Sequence, residues 1–119
     1  MLTPLLFQVG KKEYIMSDLR HVYGNINADG TIKSGSGDFT VVQEGNGEYT
    51  IVFTQAFANM PTVVTTQNYK DWDDFTYNGG STYDNTVIIA ISNSKFKMQT
   101  GGGSGSKTER NWTFIAVGV

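Results

Sequence analysis

The chain contains no cysteine, which excludes disulfide staples, thiolate metal sites and a cysteine nucleophile. Histidine occurs once, as His21 beside Arg20, and no signature ties it to a serine. A surface or interface position is expected for it rather than a catalytic one. Charged residues make up 17% of the sequence and nearly balance, with a formal net charge of −2 and no basic block. The electrostatic footprint of a nucleic-acid binder is therefore missing. No apolar run approaches the about 20 residues that a helical membrane span requires, so no membrane insertion is expected. The opening "MLTPLLFQVGKKEY" has too short an apolar patch for a secretory signal, and its lysines follow that patch instead of preceding it. The expected location is cytoplasmic, leaderless-secreted, or on a virion or fibre. Helical periodicity is scarce as well. The best candidate, "KKEYIMSDLRHV", has room for one helical turn at most.

What remains is a β-forming composition. At 119 residues the chain is long enough for one domain with a single core, and residues 1–20 read as an N-terminal segment partly extended at an oligomer surface. Fourteen glycines, frequent threonine and 13% aromatic residues favour strands and turns. His21 to Ile26 reads as a short strand closed by the turn "NADG", with Gly30 placed for a positive φ, and Thr31 to Lys33 returns from it. "FTVVQ" (Phe39 to Gln43), the turn "EGNGE" and "YTIVFT" (Tyr49 to Thr54) form the clearest hairpin. Its apolar face is Phe39, Val41, Tyr49, Ile51 and Phe53. After Pro61 come the strand "TVVTTQNY", the long loop "KDWDDFTYNGGSTYD", the strands "NTVIIAIS" and "SKFKMQT", the mobile loop "GGGSGSKTER" and the closing strand. This spacing predicts an antiparallel sandwich or barrel.

Two strands break the alternation expected when one face is wet. "VIIAI" (Val87 to Ile91) and "FIAV" (Phe114 to Val117) are apolar on both faces. One face can enter the core; the other needs a cover, and another copy of the chain is the simplest one. A homo-oligomer is expected.

Little in the sequence points to catalysis, and no enzyme activity or cofactor is expected. "NINADG" looks like the start of a calcium loop, but Ser36 stands where the closing glutamate belongs, so a β-turn is the better reading. "NWT" at Asn111 is a glycosylation sequon only in a secretory pathway. The exception is "NYKDWDDFTY", where Tyr69, Trp72, Phe75 and Tyr77 alternate with Asp71, Asp73 and Asp74. Aromatic faces stack on the apolar faces of sugar rings, and carboxylates accept hydrogen bonds from vicinal hydroxyls. Loops on a rigid sandwich are where such sites lie. The alternative is that Trp72 and Phe75 fold back to cap the core; calcium held by the three aspartates is a further option.

The second half carries a resemblance. "F57…P61-T-V-V", "VIIAIS…KFKMQT" and "NWTFIAVG" together resemble the H-type lectin domain of snail agglutinins and slime-mould discoidins, over roughly Phe53 to Gly118. The upstream "GDFTVVQEGNGEYTIVFTQAF" is similar to bacterial and phage-associated relatives, tail-fibre tips included. The resemblance implies an all-β fold, a six-stranded antiparallel β-sandwich, assembled as a trimer with ligand sites near the subunit interfaces. The family's arginine at the head of the central strand falls near Asp84 or Asn85, and its tryptophan falls near Thr100 or Gly101. Neither residue type is kept, so N-acetylgalactosamine specificity does not carry over; Trp72 and Arg110 are the candidates to substitute. The expected function is a lectin-like module that binds glycans or a glycosylated cell surface through several weak sites. The alternative is a receptor-binding or structural tip of a phage tail fibre or similar fibre.

Overall fold

The computed structural model describes residues 6–10, 12–15 and 18–119. Ten strands follow in order: β1 (Leu6–Val9), β2 (Lys12–Ile15), β3 (Arg20–Ile26), β4 (Ile32–Gly35), β5 (Phe39–Gly45), β6 (Glu48–Phe53), β7 (Thr62–Asn68), β8 (Asn85–Ile91), β9 (Lys95–Gly101) and β10 (Asn111–Gly118). Two four-stranded sheets, β4-β3-β10-β7 and β5-β6-β9-β8, face each other, and every strand pair within them is antiparallel. β1 and β2 form a separate two-stranded sheet.

The all-β, antiparallel reading holds, but the strand number does not: the two facing sheets hold eight strands, not six. The difference arises at the edges, where Ile32–Gly35 folds back on β3 with its own hydrogen bonds and Phe39–Gly45 borders the second sheet. The limit of one helical turn within "KKEYIMSDLRHV" is consistent with the fold, where Asp18 lies in a 3-10 turn between two strands. Lys12–Ile15 and Arg20–Ile26 are strands, and residues 16–17 lie outside the described residues. No helix among the described residues is long and apolar enough to cross a membrane.

Period two explains the core. Val22 and Ile26 of β3, Trp112, Phe114 and Ala116 of β10, and Val63 of β7 point inward from one sheet. Phe39, Tyr49, Ile51, Phe53, Phe96 and Met98 meet them from the other. Of the hairpin face expected from the sequence, four residues are fully buried and Val41 packs at the margin. Aromatic rings interlock edge to face, with Phe39 and Phe114 at 5.0 Å and Phe96 and Phe114 at 5.2 Å between centroids. Gly24 makes room for this cluster, since a Cβ there would lie 2.5 Å from the Phe39 ring. Asn46 and Gly47 make the two-residue turn between β5 and β6, with Gly47 at a φ of +71° that disfavours a side chain. Gly30 has a φ of +86°, as the "NADG" turn requires.

The two strands that looked apolar on both faces differ in cause. In β8 a bulge between Ile88 and Ala90 resets the alternation, so that both Ile88 and Ile91 pack on the core. Val87 and Ile89 remain exposed on that sheet's outer side. In β10 the alternation is regular: Phe114 and Ala116 are buried and Ile115 is exposed. Ile115 stands between Tyr23 of β3 and Val64 of β7, both also exposed. Flanking rows are His21, Val117 and Thr62 on one side, and Asn25, Thr113 and Thr66 on the other. These nine outward residues include no Asp, Glu, Lys or Arg. The outer side of the opposite sheet, by contrast, carries Glu44, Lys95 and Lys97.

Candidate functional site

Strand direction gathers four connections at one pole of the sandwich: the turn after Ile26, the β5–β6 turn, residues 69–84 between β7 and β8, and residues 102–110 before β10. The chain before β3 enters at the other pole, where Arg20 donates to the carbonyls of Gln55 and Ala56 and stacks over Phe57 at 4.4 Å.

Residues 69–84 are irregular but heavily braced. Asn68 brackets Trp72, its Oδ1 accepting from the Trp72 N–H at 2.8 Å and its Nδ2 donating to the Trp72 carbonyl at 3.1 Å. This holds Trp72 at a φ of +51°. The indole N–H donates to Asn27 Oδ1 at 2.9 Å, and the Lys33 ammonium lies 5.7 Å from the ring. Trp72 therefore ties the loop to the β3–β4 turn. It belongs neither to the core nor to a freely exposed stacking platform. Phe75, which could have capped the core, is instead 96% exposed.

The three aspartates do not converge, and no group of carboxylate, histidine or cysteine ligands that could hold a metal ion occurs among the described residues. Asp74 is engaged locally. Its Oδ1 accepts from the Thr76 hydroxyl at 2.5 Å and from the Thr76 N–H at 3.1 Å, and these bonds hold its carboxyl below the ordinary range. A carboxylate with a depressed folded-state pKa stabilises the turn above its unfolded value and loses that contribution as pH falls through the folded value. Protection of the Thr76 amide, taken relative to its intrinsic exchange rate at each pH, is accordingly expected to fall on acidification below the normal aspartate range and to be flat above it. Loss of that pH dependence in Asp74→Asn checks the assignment.

Tyr69, Tyr77, Asp84 and Arg110, drawn from separate parts of the sequence, do come together. The Arg110 guanidinium stacks over the Tyr69 ring at 4.5 Å and pairs with Asp84 at 3.6 Å, the two side chains being 17% and 8% exposed. Asp84 Oδ2 also accepts from the Ser81 N–H at 2.8 Å. The Tyr69 and Tyr77 hydroxyls share a 3.3 Å hydrogen bond, which together with partial desolvation raises the Tyr77 phenol above its ordinary range. Gly80, at a φ of +96°, lies against Tyr69; a Cβ there would be 3.2 Å from the ring.

Beside this cluster opens a shallow cleft of about 290 Å³, lined by Ala28, Tyr69, Lys70, Asp71, Glu109, Arg110 and Asn111. Asn111 fixes one wall, donating to the Lys70 carbonyl at 2.6 Å and accepting from the Ala28 N–H at 2.9 Å. Asp71 and Glu109 are exposed there. A second depression, about 230 Å³, lies at the ends of β8 and β9. It is lined by Asn85, Val87, Gln99, Thr100, Gly101, Lys107 and the exposed ring of Tyr83, with Gly102 and Gly105 from the adjacent loop. That loop is closed across its base: the Thr100 hydroxyl donates to the Thr108 carbonyl at 2.5 Å and the Gly102 N–H to Ser106 at 3.0 Å.

The structure thus sorts the sequence-derived set. Tyr69, Asp71 and Arg110 line the first cleft, with Tyr77 and Asp84 supporting it. Asn85 belongs to the second depression. Trp72 is an anchor, Asp74 a turn former, and Asp73 stands exposed outside both clefts. Lys70, Tyr83, Glu109 and Asn111 were missed. Adjacency to Tyr69 and Arg110 was the only signal that pointed to Lys70, Glu109 and Asn111. Comparison with family models, with curated proteins and with solved structures returned no match.

Proposed function

We propose that this chain is a non-enzymatic glycan-binding module that works as a homotrimer with several weak sites. The observation that carries the reading is the cleft at the loop pole, where an aromatic ring, two exposed carboxylates and a braced amide surround a space of about 290 Å³. Asp71 and Glu109 offer acceptors to vicinal hydroxyls. Tyr77, 41% exposed, offers a ring at the margin. Arg110 is already stacked and paired, so it shapes the wall more than it recruits an anion. The assembly half of the reading is supported by the uncharged outer grid of β3, β10 and β7, whose central row Tyr23, Ile115 and Val64 is exposed in one chain. An apolar row of this kind fits a repeated copy of the same surface. Several weak sites on one particle would then act together on a glycosylated surface.

A second reading, the receptor-binding or structural tip of a phage tail fibre or similar fibre, is favoured by the polarity of the domain. The chain before β3 enters at one pole, and the clefts open at the other. Both readings place the ligand at the loop pole and differ in what lies behind it.

A glycan array with the wild type and with Asp71→Asn and Tyr77→Ala tests the site. A single shallow site of about millimolar affinity corresponds to about −4 kcal/mol. Loss of about 1.4 kcal/mol in Tyr77→Ala is a tenfold loss per site, and Asp71→Asn is expected to lose less because one acceptor oxygen remains. Oligomer mass should stay unchanged in both. Wild-type binding in both variants would move the ligand site elsewhere.

A further inference from the structure

We propose that Asn78 is a site of spontaneous deamidation, and that its conversion reshapes the tyrosine wall beside the first cleft. Two Asn-Gly steps occur in the chain, Asn46-Gly47 and Asn78-Gly79. Glycine after asparagine leaves the backbone nitrogen unshielded and the chain free to rotate. That nitrogen, once it has lost its proton to solvent, can attack the side-chain carbonyl carbon of the asparagine. A C–N bond forms, the bond to the side-chain nitrogen breaks, and ammonia leaves. Water then opens the five-membered imide at either carbonyl, giving aspartate or isoaspartate. Asparagine and water become acid and ammonia, with no oxidant and no cofactor.

The fold separates the two steps. Asn46 sits in the two-residue turn between β5 and β6, where its Nδ2 donates to the Lys107 carbonyl at 3.3 Å. Gly47 is buried, and its carbonyl accepts from the Thr100 N–H at 2.8 Å. A Cβ at Gly47 would lie 2.9 Å from the Thr100 carbonyl oxygen and 3.0 Å from the Thr108 nitrogen, so this backbone is held against ring closure. Asn78 and Gly79 are both exposed, in the irregular segment between β7 and β8. Among the described residues, neither the Asn78 side chain nor the Gly79 N–H makes a hydrogen bond. Nothing there restrains the attack.

Gly79 and Gly80 also support the tyrosine wall. Gly79 lies under Tyr77, since a Cβ there would come within 2.5 Å of the ring. Gly80 lies against Tyr69, and the two tyrosine hydroxyls share their 3.3 Å bond. Isoaspartate carries the chain through its side-chain carbon and lengthens the backbone by one methylene. That extra carbon cannot enter between residues 78 and 79 without displacing Gly79 from the Tyr77 ring. The product also adds a negative charge to a segment that already holds Asp71, Asp73 and Asp74. None of this depends on the ligand of the proposed function.

The test uses the full chain, incubated at neutral to mildly alkaline pH both folded and in denaturant. Peptides holding Asn46 and Asn78 are followed by mass spectrometry, and isoaspartate is assayed separately. The folded chain should convert residue 78, faster as pH rises, and keep Asn46 intact, whereas both should convert in denaturant. Asn78→Gln, which would have to close a larger and slower ring, should suppress the folded-state conversion and leave the thermal transition unchanged. The isoaspartate form, separated by chromatography, should show shifted Tyr69 and Tyr77 ring resonances with those of Trp112 unmoved. Two results would overturn the site: folded-state conversion of Asn46 at the rate of Asn78, or an intact Asn78 under conditions that convert it in denaturant. Isoaspartate at position 78 with unmoved tyrosine resonances would overturn its coupling to the wall.

Discussion

Truncation after Arg110, which removes β10, is expected to give a chain with no cooperative unfolding transition and no native near-ultraviolet circular dichroism. β10 lies between β3 and β7 in the sheet and pairs with both over seven positions each. Without it the first sheet falls into a β3–β4 ribbon and a lone β7. The core would also lose Trp112, Phe114 and Ala116, which are 0%, 4% and 0% exposed. Trp112 contacts Tyr49, Phe96 and Phe114, with ring centroids 5.4, 6.3 and 5.8 Å away. Truncating one such ring to alanine costs about 3–5 kcal/mol. Two such losses together reach the ~5–15 kcal/mol that holds a typical domain. Trp112→Ala alone is therefore expected to lower the midpoint of denaturation sharply while leaving a folded protein at low temperature. A truncated chain with native dichroism would show that the sheet survives without its central strand.

The second large effect is expected at Arg110. Replacing it with alanine strips Asp84 of its cation, leaving a carboxylate that is 8% exposed with the Ser81 N–H as a remaining donor. Exposed ion pairs are worth about 0–1 kcal/mol, whereas breaking a buried one costs about 3–5 kcal/mol. The burial of Asp84 places this pair between the two, and a loss of about 2 kcal/mol is expected. Arg110 also covers the Tyr69 ring and reaches Gln67 Oε1 at 3.4 Å, so the wall of the first cleft should loosen as well. Asp84→Asn in the Arg110→Ala background should recover part of the stability, since the stranded charge is removed, but should not restore the wall. Denaturant unfolding of the two single variants and the double variant measures the coupling. Additive effects would mean that the pair contributes nothing as a pair.

Much of the fold was legible because it is written at period two. Phe39, Tyr49, Ile51 and Phe53 could be assigned to one face from the sequence, and they are buried together. Asn46-Gly47 fixed the turn between their strands. The bulge in β8 was not legible. Inserting one residue leaves an apolar run that reads as two covered faces, and only the pairing with β9 shows which residues face inward. The eight strands of the two facing sheets correspond to the segments read along the sequence, the exposed return strand Ile32–Gly35 included; the count of six was what the resemblance implied.

For the candidate site the division is sharper. The sequence alone determined the supply of chemistry: aromatic and acidic residues concentrated between β7 and β8, no cysteine, one histidine and little charge. The tertiary structure decided which of those residues act together. Trp72 and Asp74, the most suggestive in sequence, are taken up by Asn27 and Thr76, whereas Arg110, 41 positions beyond Tyr69, forms the wall beside it. A hydrogen bond or a stacked ring depends on separations of a few ångströms. Sequence spacing fixes such separations within one strand, but across a 16-residue loop they are set only when two sheets close on a common core.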